Sequence, residues 1–295
     1  MKTIININTR RAEVACFFVV SIENNNHYLY AEILMKYRTG RRDGLIGRWL
    51  ELQEGEAMGI TGKDQDTPAM KKITHNSVAR PRPMWQELSQ RFPDDRDCLA
   101  CYLALESAEV LEGVKPANLV NVVNKRRSCG RNIYTLWKNQ GSALLQHSGL
   151  KAIEFVDRGE SVLLFLYRRS ELAALLARKS VVVILRKAGY TEPDNLEKTL
   201  VQLQARFCKG NFPHEIGVFL GYPLKDVIGF MGWAQLPFSM QGPWKIFGDP
   251  RESLSLAETH RQCRSQKARQ LNYCDDPLNC LKISVSDAAV CNIAF

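Results

Sequence analysis

No stretch of this chain approaches the roughly 18 consecutive apolar residues that a membrane-spanning helix needs, so a membrane anchor of that kind is not expected. A P-loop, a glycine-rich dinucleotide turn, a GxSxG nucleophile elbow and an HExxH metal helix are all absent too, which removes the common nucleotide, acyl-transfer and metalloprotease chemistries. Nine cysteines at irregular spacing do not make a disulfide framework and point to a reducing cytosol. There is no internal repeat. The basic residues form only pairs and triplets, such as Lys125-Arg126-Arg127 and Arg186-Lys187, with no long arm and no interleaved aromatics, which weighs against nucleic-acid binding. Thr9-Arg10-Arg11 stands before an apolar run, but that run is short, follows Glu13 and lacks a cleavage-like small-residue site, so export is not expected.

What remains is an ordinary globular composition, 45% hydrophobic and 24% charged over 295 residues, with a net charge of +9 and a pI near 9.1. That balance favours acidic partners. Residues 1–83 read as a largely irregular extension: apolar runs at 13–22 and 28–37, breaker-rich stretches after 39, and the extended Arg80-Pro81-Arg82-Pro83 linker. A single α+β domain is expected over 84–268, followed by a tail over 269–295. Its sheet is small and mainly antiparallel, with about four strands at 119–123, 151–156, 161–167 and 244–247, covered by helices. Asp157-Arg158-Gly159-Glu160 supplies the hairpin turn between the second and third. Helices are expected around 85–92, up to Gly113 with Asp94 or Asp95 as cap, and at 133–146, 171–177 with Ser170 as cap, 181–188, 195–207 and 252–268.

The densest signal lies at 211–233, NFPHEIGVFLGYPLKDVIGFMGW. Ile216, Phe219 and Leu220 share one helical face, Gly221 follows as a C-cap glycine, and Pro223 opens a second short helix through Leu224, Val227, Ile228 and Met231. Gly217, Gly229 and Gly232 each weaken a helix by about 1 kcal/mol against alanine, so close packing must compensate. The segment HEIGVFLGYPLKDVIGF resembles the signature of an anaerobe-associated bacterial family, the domain of unknown function 3793 family. GVKPANLV at 113–120, VLLFLYRRSELAALL at 162–176 and PWKIFGD at 243–249 match in the same order, so the resemblance covers roughly 106–264. It implies an intracellular soluble protein, without a known activity or cofactor, connected with anaerobic iron or flavodoxin-linked redox metabolism. An acidic redox protein such as a flavodoxin is the partner it suggests. Ser107 stands where the family often carries a cysteine, so a thiol mechanism at that position is lost in this chain.

Candidate site residues follow from position. Lys115 and Asn118 precede the first strand, while His214 and Glu215 open the signature, where polar side chains can leave the core and reach a ligand. A neutral-range imidazole beside a carboxylate suits acid–base work, although neighbours on a helix do not face each other. Tyr222 and Asp226 would add an aromatic wall and a carboxylate, and Trp244 with Lys245 a ring and a cation for an anion or flat ligand. The opposing reading is that these groups cap turns and pack. Cys98 and Cys101 have the spacing of half a metal or redox site, but Cys274 and Cys280 are too far apart in sequence to be a standard second half, so buried helix thiols and no metal are expected. Two functions of different class remain: a binding or accessory protein, or an enzyme whose site joins Lys115, Asn118, His214 and Glu215.

Overall fold

Residues 161–167 read as an unbroken apolar run because both faces of their strand are covered. The computed structural model describes residues 85–282 except Ser128, His147, Gly210 and Asn211. The expected extension over 1–83, its apolar runs and its proline linker lie outside the described residues, as do residues 283–295.

The chain opens with α1 (Trp85–Ser89), α2 (Asp95–Glu106) and α3 (Ala108–Leu111). Asp94 caps α2 by accepting from the amides of Arg96 and Asp97, as its position before a helical run predicts. Strand β1 (Ala117–Val123) follows, then α4 (Ile133–Leu136), a π-helical turn (Trp137–Gly141) and α5 (Ser142–Leu145). The single helix expected over 133–146 is therefore interrupted, and the interruption sits where the Trp137 ring lies over Gly141. Next come β2 (Lys151–Asp157) and β3 (Ser161–Tyr167), joined by a turn in which Gly159 has φ +77° and donates to Asp157.

These three strands form an antiparallel sheet in the order β1-β3-β2. Side chains alternate across it. Val120, Val122, Val162, Leu164 and Leu166 enter one core with α1 to α5, whereas Phe155, Phe165 and Tyr167 enter a second core with the helices that follow. The central strand β3 is thus apolar at every position between its ends. A bulge between Glu154 and Val156 turns Phe155 into the second core, where it stacks on Phe165 and Phe207 at centroid distances of 5.0 and 4.5 Å.

The second core is closed by α6 (Arg169–Leu176), α7 (Lys179–Lys187), α8 (Leu196–Cys208), α9 (Ile216–Phe219) and α10 (Leu224–Phe230). Helix α6 begins before Ser170, which therefore does not cap it; the cap position belongs to Arg168, and the Ser170 hydroxyl donates weakly to Glu171 at 3.5 Å. Between α9 and α10 the chain turns at Gly221, with φ +73°, and Pro223 is the cap residue before Leu224 rather than the first helical residue. A separate two-stranded ribbon follows, β4 (Phe238–Gln241) with β5 (Lys245–Phe247). The fourth expected strand therefore exists but pairs with β4, which the sequence reading passed over, and not with the main sheet. The long helix α11 (Arg251–Tyr273) runs past residue 268, and a 3-10 turn (Asn279–Leu281) buries Cys280 and Leu281 in the first core.

Candidate functional site

The α9–α10 corner is held by a seam of polar groups under its outer surface. Asp226, one turn into α10, is 2% exposed and accepts four hydrogen bonds. They come from Lys225 Nζ (2.8 Å), the Phe247 amide (2.9 Å), Trp244 Nε1 (2.8 Å) and the Ser253 hydroxyl (2.5 Å). Lys225 also donates to the Phe247 carbonyl and to Ser253. One carboxylate thereby ties α10 to β5 and to the start of α11. Burial raises the Asp226 carboxyl pKa, but the bonds from Lys225, Phe247, Ser253 and Trp244 outweigh it and hold the value below the ordinary 3.8.

From Asp226 the seam continues through rings. The Trp244 indole stacks on Tyr222 (4.5 Å, 18°), and Lys115 Nζ lies 5.3 Å from the Tyr222 ring centroid. Lys115 Nζ donates to Asn118 Oδ1 (2.6 Å), and Asn118 Nδ2 donates to the Glu106 carbonyl (2.6 Å) and to Glu109 Oε2 (3.3 Å). Glu106 Oε1 in turn accepts from Arg264 NH2 at 2.6 Å, while Arg264 NH1 donates to the Leu105 carbonyl at 3.0 Å. Five of the eight candidate residues, Lys115, Asn118, Tyr222, Asp226 and Trp244, therefore fall in one contiguous network.

His214, Glu215 and Lys245 make other contacts. Glu215 is buried and accepts from Arg206 (2.9 Å) and from the Tyr190 hydroxyl (3.1 Å); Arg206 also caps the Ala188 carbonyl at 2.6 Å. Burial raises the Tyr190 pKa, and the Glu215 charge adds to the rise. The His214 ring meets Phe230 edge-on at 5.4 Å, and Lys245 Nζ lies 5.9 Å from the same ring. Burial lowers the His214 pKa below its ordinary 6.5, against a smaller opposing effect of Glu215, and so favours neutral imidazole at neutral pH.

A family model described as protein of unknown function, DUF3793, matches residues 103–281, more than half of the chain. The chain belongs to the DUF3793 family. No curated protein and no solved structure matches it. The DUF3793 region contains the whole seam, from Glu106 at the end of α2 to Arg264 in α11.

Sequence reasoning passed over Glu106, Glu109, Lys225, Ser253 and Arg264. Helix α11 is polar in composition, yet Ser253, Arg264 and Lys267 are buried. Their spacing of 11 and 3 residues places them along one face, which is the signal that was available. Among the described residues no group of three His, Cys, Asp or Glu side chains is placed to hold a metal ion, and no helix is long and apolar enough to cross a membrane.

The outer surface beside the corner is different in kind. Helix α7 buries Val181 and Leu185 and turns Lys179, Val183 and Arg186 outward, with Val183 65% exposed. Lys179 and Arg186 form no ion pair among the described residues. Next to them Lys187 Nζ lies 4.7 Å from the Trp233 ring centroid, and the carbonyl following α7 is the one that Arg206 holds. The Arg206–Glu215 pair therefore links this basic face to the signature.

Proposed function

We propose that the chain is a cytoplasmic binding or accessory protein that docks an acidic redox protein, of the flavodoxin or iron-linked kind, on the outward face of α7. The observation that carries this reading is the pairing of unpartnered cations with an exposed valine on one helix face, flanked by Lys187 on Trp233. Exposed, unpaired cations attract an acidic surface at little desolvation cost and set encounter rate and orientation, while the apolar strip between them supplies the contact that excludes water. The seam contributes rigidity. Its carboxylates and cations are engaged with one another, so they hold the corner from which the face is presented.

The alternative is an enzyme built on Lys115, Asn118, His214 and Glu215. It rests on the Lys115–Asn118 contact, whereas Glu215 is engaged by Arg206 and Tyr190. The test is titration of the full chain with a purified flavodoxin at low and at physiological ionic strength. Binding at low salt, weakened about tenfold or more by the Lys179→Glu, Arg186→Glu double substitution with an unchanged melting temperature, is expected. No binding, or binding indifferent to the double substitution, overturns the reading.

A further inference from the structure

We infer that the β4–β5 ribbon is a self-association surface, on which a second copy of this chain seats its own ribbon to give a weak two-fold dimer. The argument starts from charge. In a chain that is 24% charged and carries a net +9, residues 227–244, between Asp226 and Lys245, contain no Asp, Glu, Lys, Arg or His, the longest such run in the sequence. Strand β4 lies within that run. All four of its residues are exposed, Phe238 at 56% and Met240 at 38%. Large apolar side chains left in water on an uncharged strand have the composition of an interface core, rich in aromatics and methionine and poor in charge.

The ribbon is built to be covered. Ser239 Oγ donates to the Gly248 carbonyl and Gln241 Nε2 to the Gly242 carbonyl at 2.8 Å, so each keeps a protein partner when the strand is shielded from water. The Phe238 ring meets Phe247 edge-on at 5.9 Å, and Phe247 in turn lies against Gly229 of α10, so the exposed ring rests on the corner beneath it. Along its other edge β4 meets no strand among the described residues. Its length of four residues, Pro237 and the register shift between Phe238 and Met240 blunt that edge for backbone pairing, which leaves contact to the side chains. Phe238 stands opposite Phe247 and Met240 opposite Ile246, so the two flank the open edge and a partner approaching edge-on meets both.

Charge also selects the occupant. Two copies, each carrying +9, repel over most of their surfaces, and the uncharged ribbon is where they meet without opposing like charges. An acidic protein gains no electrostatic attraction from the ribbon itself. The exposed hydroxyl and amide of Ser239 and Gln241 between the apolar side chains suit a wet protein interface better than the acyl boundary of a bilayer. A four-residue strand falls short of the roughly 1,000 Å² that a stable interface buries, so a dissociation constant on the order of 100 μM is expected.

The experiment is sedimentation equilibrium of the full chain from about 10 to about 500 μM, under reductant so that exposed Cys208 forms no cross-link. A reversible monomer–dimer equilibrium is expected that tightens about threefold or more as salt rises from about 50 to about 500 mM, because screening removes the repulsion between two basic bodies. That salt dependence is opposite in sign to the one expected for an acidic partner on α7, so failure of either reading is distinguishable from failure of the other. Phe238→Ser with Met240→Ser is expected to weaken the dimer about tenfold or more at an unchanged melting temperature. Without any variant, hydrogen exchange in wild-type peptides spanning 236–244 is expected to slow as protein concentration rises. A chain that stays monomeric throughout, a dimer weakened by salt, a dimer indifferent to the double substitution, or exchange at 236–244 indifferent to concentration each overturns the inference. So does binding of phosphatidylglycerol vesicles through Phe238 and Met240 in place of self-association.

Discussion

Asp226 has a demanding environment, because one buried carboxylate serves four donors, one each from α10, the turn before β5, β5 and α11. Its folded pKa is depressed, so its contribution to stability is fully present above the ordinary value of 3.8 and is lost as pH falls through the lowered value. Asp226→Asn keeps the shape but replaces one accepting oxygen with a donor that faces donors. The substitution is expected to cost about 1 to 3 kcal/mol at neutral pH, and to flatten the acid limb of a melting-temperature profile below that pH. An unchanged acid limb would mean that other carboxylates govern acid unfolding. Position also explains how the residue was read from sequence. A carboxylate one turn into a helix suits either the helix dipole or a ligand, and only the fold brings Trp244 and Ser253 to it from 18 and 27 residues away.

At the scale of elements, the α9–α10 corner depends on two glycines for different reasons. A Cβ on Gly221 would meet Pro116 Cδ at 2.6 Å and would occupy a backbone with φ +73°. A Cβ on Gly229 would meet the Phe247 ring at 2.7 Å without any unusual φ. Gly221→Ala is therefore expected to destabilise by about 1 to 3 kcal/mol in urea denaturation, since both strain and overlap act, and the flexible end of a long side chain is not there to yield. The two short helices and their corner were legible because apolar spacing, a C-cap glycine and a following proline all agree within a few residues. The three strands of the sheet were legible because β-branched and aromatic runs are bounded by Asn124 and by the 157–160 turn. Strand β4 was not, because all four of its residues are exposed and it buries no face that a pattern could report. The π turn was hidden for another reason: a Trp137 ring packed over Gly141 leaves the 3.6-residue apolar spacing nearly intact on either side. The seam was illegible from α11 because Ser253 and Arg264 have the composition of a solvated face, and only their partners distinguish burial from exposure.

For the molecule as a whole, the ion pair with the longest reach among the described residues is Arg264 with Glu106, 158 residues apart in sequence. Arg264 has no exposure and Glu106 is 8% exposed, so neither charge can be solvated if the other is removed. The pair joins the end of α2 to the middle of α11, and Asn118 on β1 donates to the Glu106 carbonyl at the same point. The first core, the sheet edge and the long helix thus meet at one ion pair. Arg264→Met removes the cation and leaves the Glu106 carboxylate buried, which is expected to cost about 3 to 5 kcal/mol, measured as a lower urea midpoint. Adding Glu106→Gln to that variant removes a buried carboxylate that has lost its Arg264 cation and is expected to recover part of the loss, because a desolvated charge costs more than a neutral amide in the same place. The sign of this coupling decides what the seam is for. If the double variant is more stable than the single one, the charges mainly satisfy each other and hold three elements in register. If it is no better, the Glu106 carboxylate is stabilised by other groups around it, and the seam rather than the pair is the unit that fixes the molecule.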